Sequence, residues 1–222
     1  MFCIPIIARD TDEALEQMVI AAAQADIMEV RLDLMDSFDL HTIIESAVKP
    51  ILVTYRSDKE GGKGKAGPEA VADYIISAIQ EEADLIDVEL SMPLKWRERI
   101  FDAKGTSKII VSTHVNDGTP SRRDLEKIFE DSIATDGDIV KIVTRAQRWD
   151  DNLRVLELIP AARERGVEVI AFCMGPLGRM SRVFSLLMGA YLTFTSLKTG
   201  MESADGQIPA ADMKMILEFF TP

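Results

Sequence analysis

The sequence of 222 residues contains very few cysteines and histidines. Cys3 and Cys173 lie far apart in apolar, strand-like runs, so they indicate neither a disulfide framework nor a metal knuckle, and we expect both to be buried reduced thiols. The only histidines are His41 and His114, which excludes a metal site built from several imidazoles. His41 follows Leu40 in a helical pattern without a polar constellation around it, so we expect it on the surface.

Basic residues are also scarce, with 25 Lys and Arg against 37 Asp and Glu and a formal net charge of -12. A charge of this sign repels phosphate backbones and anionic lipids, so we expect neither a nucleic-acid partner nor a membrane surface. No apolar run approaches the roughly 18 residues of a membrane span. The opening "MFCIPIIARD" lacks the basic region and cleavage site of a signal peptide. We therefore expect a cytoplasmic protein in which any anionic ligand binds a local basic pocket.

Short apolar runs alternate with longer amphipathic stretches from one end of the chain to the other. Strands are expected near 2–8, 27–34, 50–56, 84–90, 108–114, 138–144, 167–173 and 190–196. Helices are expected near 11–24, 38–47, 67–82, 92–103, 120–132, 149–165, 179–189 and 209–220.

Repeated βα units with short connections imply parallel strands joined by right-handed crossovers. About eight such units in a chain of this length are typical of a (β/α)8 TIM barrel. No linker or sequence repeat interrupts the series, so we predict an α/β fold in which residues 1–222 form a single catalytic domain. A doubly wound open sheet is the structural alternative.

Charged residues occupy one face of the second expected strand. In a barrel, alternate strand residues point inward and functional groups collect at the C-terminal strand ends. In "MEVRLDL" this places Glu29, Arg31 and Asp33 on the same face. The solvated face of an antiparallel strand would show the same alternation, but the βα context favours a charged cluster inside a barrel.

The third expected strand ends in "VTYRSDKEGG", which places Arg56 at the strand end and Glu60 in the following loop. Both side chains would be unremarkable in an exposed loop. The glycine-rich stretch lacks the Lys followed by Ser or Thr of a Walker loop, so it does not predict a nucleotide site.

Lys141 interrupts the apolar run of "GDIVKIVTRA". In an antiparallel strand it could face water, but in a central parallel strand an unpaired ammonium would cost several kcal/mol. Desolvation lowers the pKa of a lysine and favours the free amine near neutral pH. Such an amine is a nucleophile toward ketones and aldehydes, so Lys141 is a candidate for Schiff-base formation.

Three later segments supply further polar groups. "IIVSTH" ends in His114, the only histidine at a strand end, although a lone histidine is often structural. "MGPLGRMSR" supplies Arg182 near a glycine-rich turn into a helix, which can hold an anion. "SADGQIP" supplies Ser203 and Gln207 on a loop that is either a lid or plain surface. Four cations are expected to converge on one anion site: Arg31, Arg56, Lys141 and Arg182.

Together these segments resemble the type I 3-dehydroquinate dehydratase family. The resemblance covers nearly the whole chain and rests on "MEVRLD", "TYRSDKEGG", "DVEL", the strand-end His114, "DIVKIV", "MGPLGRMSR" and "SADGQIP", in the order of that family. It implies a barrel, commonly a homodimer, that converts 3-dehydroquinate to 3-dehydroshikimate in the shikimate pathway and needs neither metal nor organic cofactor.

The resemblance also implies roles for individual residues. Lys141 would form the imine with the substrate ketone, His114 would be the general acid and base, and Glu60 would orient His114. The implied substrate-binding set is Glu29, Arg31, Arg56, Arg182, Ser203 and Gln207.

The chain departs from the family pattern beside the histidine. Thr113 and Val115 stand where the family usually has Asn, His or Tyr and then Asp or Asn, which changes the support of His114. One alternative function is another lysine Schiff-base barrel such as an aldolase, for which a phosphate cup after strands seven and eight would be expected. The other alternative is a barrel that binds its ligand without turnover.

Overall fold

Strands and helices alternate along the chain. The computed structural model describes residues 1–220. These contain eight strands, namely β1 (Phe2–Ile6), β2 (Ile27–Arg31), β3 (Ile51–Thr54), β4 (Leu85–Glu89), β5 (Lys108–His114), β6 (Ile139–Arg145), β7 (Glu168–Met174) and β8 (Thr193–Phe194). The same residues form nine α-helices, namely α1 (Thr11–Ala21), α2 (Leu40–Glu45), α3 (Pro68–Gln80), α4 (Leu94–Asp102), α5 (Arg122–Ile133), α6 (Asp151–Leu156), α7 (Leu158–Glu164), α8 (Arg179–Leu187) and α9 (Ala210–Glu218).

The strands form one parallel sheet in the order β7-β6-β5-β4-β3-β2-β1-β8. β1 therefore pairs with both β2 and β8, whereas a doubly wound sheet would reverse its strand order at an internal switch point. The remaining gap lies between β7 and β8, where the Tyr191 amide donates to the Val169 carbonyl at 2.8 Å. The predicted (β/α)8 TIM barrel is confirmed as a nearly closed barrel, and the open-sheet alternative is wrong.

The helices begin where the sequence supplies capping groups. The Asp10 side chain accepts from the Glu13 amide and starts α1, and the Ser121 side chain accepts from the Asp124 amide and starts α5. The helix expected over 149–165 is divided into α6 and α7, with Glu157 between them. No helix among residues 1–220 combines the length and apolar character needed to cross a bilayer.

Inward-facing residues recur at every second position of each strand and change character along it. Apolar side chains fill the barrel near the strand starts: Cys3, Ile27, Leu52, Leu85, Ile110, Ile139, Ile170 and Leu192. Two or four residues later the same parity places polar groups on β2 to β6, such as Asp87 and Glu89 after Leu85. β7 and β8 keep apolar side chains there: Phe172, Met174 and Phe194. The packed floor thus lies beneath a polar layer at the C-terminal strand ends.

The cysteines and the first histidine lie outside any reactive arrangement. Cys3 and Cys173 are buried and unpaired, as expected. His41 is exposed on α2, as predicted, but the expectation of no polar neighbours is wrong. Its Nδ1 lies 2.7 Å from Oε2 of Glu81, and its Nε2 lies 3.5 Å from Oε2 of Glu45.

Candidate active site

A cavity opens at the C-terminal ends of the strands. The barrel brings together there all nine side chains to which the sequence assigned a role: Glu29, Arg31, Arg56, Glu60, His114, Lys141, Arg182, Ser203 and Gln207. They come from strands and loops that are far apart in sequence. Their convergence therefore depends on closure of the barrel rather than on local structure.

Lys141 lies at the bottom of this cavity on β6 and is 3% exposed. Its Nζ is 3.1 Å from Oδ2 of Asp87 on β4, and it lies over the ring of Phe194 at 4.3 Å from the centroid. Lys141 is therefore buried as predicted, and it has a carboxylate partner that the sequence did not reveal. Alternate strands of a barrel contribute side chains to the same layer, which is why a residue of β4 meets one of β6.

His114, the last residue of β5, is held by Glu60. Nδ1 of the imidazole lies 3.2 Å from Oε2 of Glu60, and the His114 backbone amide donates to the same oxygen at 3.0 Å. Burial, reinforced by the nearby charges of Arg56 and Lys141, lowers the pKa of His114 well below its usual value. We assign the Nδ1–H tautomer from this contact, which leaves Nε2 as the proton acceptor.

Glu60 is itself a perturbed acid. Burial raises its pKa to about 7, and the charge of Arg56 only partly opposes that shift. Its Oε1 accepts a hydrogen bond from Ser91 Oγ at 2.6 Å. Thr113 Oγ1, beside His114, is buried and has no hydrogen-bond partner within residues 1–220. The imidazole is therefore supported by Glu60 rather than by its sequence neighbour.

Arg56 is surrounded by carboxylates. Its Nη2 lies 2.7 Å from Oδ1 of Asp87, and its Nη1 lies 2.9 Å from Oε1 of Glu89 and 3.4 Å from Oε2 of Glu60. Nη1 also donates to Ser112 Oγ at 3.0 Å. Burial opposes the charge of Arg56, but these carboxylates raise its pKa. The guanidinium predicted to bind substrate thus also neutralises the acidic wall of the cavity.

Asp87 is the ionised member of that wall. Burial works against its charge, but Arg56 and then Lys141 lower its pKa to about 2. Its Oδ1 also accepts from Ser112 Oγ at 2.6 Å. A fixed negative charge is consequently held beside Lys141 Nζ.

The charged face of β2 is organised by two separate contacts. Glu29 is buried and accepts from Thr54 Oγ1 at 2.8 Å. β2 ends at Arg31, and Asp33 lies in the following 3-10 turn, contrary to the expected strand over 27–34. Asp33 still pairs with Arg31, through contacts of 2.7 Å to Nε and 2.8 Å to Nη2. This bidentate pair orients Arg31 at the cavity.

Arg182 on α8 differs from the other cations of the cavity. It is 1% exposed, and no salt bridge joins it to a carboxylate in the part of the chain that the structure describes. Its guanidinium lies over the Phe172 ring at 4.4 Å and donates to the carbonyls of Phe194 at 3.4 Å and Asp205 at 3.2 Å. Burial lowers its pKa to about 9. This cation is available to an anionic ligand.

Ser203 and Gln207 form one wall of the cavity from the loop that follows β8. The Gln207 side chain accepts from the Ser203 amide at 2.8 Å and donates to Ser203 Oγ at 3.0 Å. Gly206 has a φ of +81°, and a Cβ there would lie 2.3 Å from the Gly175 carbonyl oxygen. Only glycine permits this approach, which seats the loop against the barrel.

Sequence reasoning assigned no role to several residues of the site. Asp87 and Glu89 belong to "DVEL", and their alternation with apolar residues is the same signal that revealed the charges of β2. Phe172 and Phe194 line the cavity as well, but an aromatic residue in an apolar strand carries no comparable signal.

Comparison with known proteins agrees with this geometry. The model of the family described as Type I 3-dehydroquinase matches residues 2–221. The 3-dehydroquinate dehydratase of Methanococcus maripaludis is 33% identical over 98% of this chain and 99% of its own length, and that of Methanocaldococcus jannaschii is 32% identical over 97% of each. A crystal structure of 3-dehydroquinate dehydratase from Geobacillus kaustophilus superposes with a TM-score of 0.88 at 26% identity, covering 99% of this chain and 90% of that one. This chain belongs to the type I 3-dehydroquinase family.

Proposed function

We propose that this protein is a 3-dehydroquinate dehydratase of the shikimate pathway, a hydro-lyase that works through a Schiff base on Lys141. The observation that carries the proposal is the arrangement of one buried lysine, Lys141, and one neutral histidine, His114, in a single cavity. Family membership supports the dehydration reaction, since the relatives that match carry that name. The assignment of the steps to residues is the one that the family resemblance implies, and the geometry of the cavity supports it.

Binding begins with the substrate carboxylate. Arg182 is the cation of the cavity without a carboxylate partner among the described residues, and a guanidinium matches a carboxylate in a bidentate manner. The ring hydroxyls then contact the polar groups of the opposite wall and of the last loop. We assign this set to Glu29, Arg31, Arg56, Ser203 and Gln207.

Imine formation takes place at Lys141 Nζ. One proton leaves the ammonium of Lys141 before its free amine attacks the ketone carbon, and one proton returns to the hydroxyl of the resulting carbinolamine, which leaves as water and gives an iminium. Asp87 places a negative charge 3.1 Å from this nitrogen, and the Phe194 ring presents its face to it. Both groups stabilise the positive charge of the ammonium before this step and that of the iminium after it.

His114 then moves the proton. Glu60 accepts from the Nδ1 side of the ring, so Nε2 removes the proton from the carbon beside the iminium, and an enamine forms. The enamine re-forms the iminium as it expels the neighbouring hydroxyl, which leaves as water with the proton that His114 returns. Hydrolysis of the imine consumes one water and releases 3-dehydroshikimate, so the net change is the loss of one water from the substrate.

Borohydride trapping tests this proposal. The purified protein is treated with borohydride in the presence of 3-dehydroquinate, and peptide mass spectrometry locates the reduced adduct. We expect one adduct, on Lys141, that disappears in Lys141→Met and persists in Lys108→Met, since Lys108 is exposed at the start of β5. Turnover without any adduct, or an adduct on another lysine, would contradict the assignment.

The remaining expectations concern the assembly and the compartment. We expect one catalytic domain over residues 1–222 and a cytoplasmic homodimer. The dimer is supported by exposed apolar side chains on α8, on α9 and directly after it: Phe184, Leu187, Met215, Phe219 and Phe220. The two unpaired cysteines agree with a reducing compartment. Light scattering after size exclusion tests the dimer, and a monomer at all concentrations would refute it.

A further inference from the structure

Ser91 contacts the carboxylate that supports His114, although it belongs to neither the strand nor the helix around it. It lies in the turn between β4 and α4, where the Met92 amide donates to the Glu89 carbonyl at 3.0 Å. A serine just before a helix is usually the N-cap, but the N-cap of α4 is Pro93. The Ser91 hydroxyl instead donates to Oε1 of Glu60 at 2.6 Å.

The two carboxylate oxygens of Glu60 have different surroundings. Oε2 meets the backbone amide and Nδ1 of His114 and Nη1 of Arg56. Oε1 receives its only hydrogen bond within residues 1–220 from Ser91. Because the Glu60 side chain is 7% exposed, removal of this hydroxyl would leave one carboxylate oxygen buried without a donor.

The bond matters because Glu60 ionises near neutrality. Burial and the nearby charges of Glu89 and Asp87 push the carboxyl toward its neutral form, whereas the charge of Arg56 and the donation from Ser91 favour the charged form. Only the carboxylate accepts fully from the imidazole N–H and so leaves Nε2 of His114 free to take a proton. By stabilising the Glu60 carboxylate, Ser91 therefore lowers the pH down to which the neutral imidazole of His114 is held in its orientation.

We propose that Ser91 is a positioning residue that acts on His114 through Glu60, by holding the Glu60 carboxylate in the charged form that orients the imidazole. The kinetic part of this inference rests on the proposed dehydratase function. Its structural part concerns Glu60 and His114 alone and needs no substrate.

Two measurements on Ser91→Ala test it. The protein has two histidines, so ring NMR signals of His114 are separated from those of His41 with a His41→Gln variant. In the wild-type protein the His114 signals should follow the ionisation of Glu60 near pH 7. In Ser91→Ala this inflection should move up by about one pH unit, the size expected for one lost hydrogen bond to a charged group.

The second measurement is the pH profile of kcat/KM with 3-dehydroquinate. The acid limb should shift upward by the same interval in Ser91→Ala, so that activity falls up to about tenfold below the limb and converges with the wild type above it. Ser91→Thr keeps the hydroxyl and should restore both readouts. Ser121→Ala removes another serine–carboxylate contact, Ser121 Oγ to Asp124 at 2.7 Å, and should leave both unchanged.

The outcomes separate the two proposals. An inflection in Ser91→Ala at the wild-type pH, or a uniform loss that Ser91→Thr does not restore, overturns the role of Ser91 while leaving the dehydratase function intact. If the inflection shifts in Ser91→Ala while the wild-type protein forms no product from 3-dehydroquinate, the role of Ser91 is supported and the dehydratase function is refuted.

Discussion

Removal of the Arg56 guanidinium should leave the carboxylates around it without the positive charge that neutralises them. Arg56 is 4% exposed and contacts Asp87, Glu89 and Glu60. With Lys141, the cluster holds two cations and three carboxylates, so Arg56→Met leaves one cation among three acids. Methionine fills a similar volume, so Arg56→Met removes the charge without leaving a large cavity.

Breaking a buried ion pair on one side costs about 3–5 kcal/mol, out of a total unfolding free energy of about 5–15 kcal/mol. The cost should depend on pH. Arg56 lowers the pKa values of Asp87 and Glu60, so its loss raises both in the folded state; the pKa of Glu60, already about 7, then rises further above its unfolded value. A folded pKa above the unfolded one means that the folded state binds more protons, so stability falls as pH rises through that interval. We expect a larger penalty at pH 8 than at pH 5, by ~1.4 kcal/mol for each unit of folded-state pKa increase that falls between those two pH values.

Urea unfolding followed by circular dichroism at pH 5 and pH 8 measures both penalties. Arg56→Lys is the control, because it keeps the charge and should show a pH dependence close to that of the wild type. A penalty in Arg56→Met that is the same at both pH values would refute the reasoning, since it would mean that Arg56 does not neutralise these carboxylates.

Three other variants address the chemistry. His114→Asn should lower kcat by about 10²–10⁴-fold while borohydride still traps the Lys141 adduct, because imine formation precedes proton removal; loss of the adduct would contradict that order. Arg182→Met should raise KM by about 10–100-fold in steady-state assays with a smaller change in kcat, since a charge-assisted contact worth ~1.5–3 kcal/mol is lost; an unchanged KM would place the carboxylate elsewhere. Phe194→Leu should slow trapping by about 3–30-fold, the equivalent of a cation–π contact of ~0.5–2 kcal/mol, and an unchanged rate would exclude that contact.

The barrel could be predicted because its signal is repeated and local. Each strand is a short apolar run followed by an amphipathic helix, and that alternation needs no knowledge of contacts. Strand ends were less predictable, because they depend on hydrogen bonds to neighbouring strands. β2 ends at Arg31 rather than continuing to Asp33, and β8 comprises only Thr193 and Phe194 where 190–196 was expected.

The site was predictable where a charge interrupts an apolar run. Lys141 and the charges of β2 meet that criterion, and all of the residues assigned roles line the cavity. The partners of those charges were not predictable, because Asp87 on β4 meets Lys141 on β6 through the curvature of the sheet across β5. A lysine that the sequence presents as isolated is therefore part of a buried ion pair.

Four cations were predicted to form the anion site, and among the described residues Arg182 is the one of them without a carboxylate partner. Arg31 is paired with Asp33, Arg56 with three carboxylates, and Lys141 with Asp87. These carboxylates lie in the turns after β2 and β3 and on β4. Arg182 approaches from the side of β7 and β8, beside two phenylalanine rings. A bound carboxylate is repelled by the first wall and attracted by the second. In the proposed mechanism, a substrate held in that direction would place its ring in the space between them, with its ketone toward Lys141 on β6.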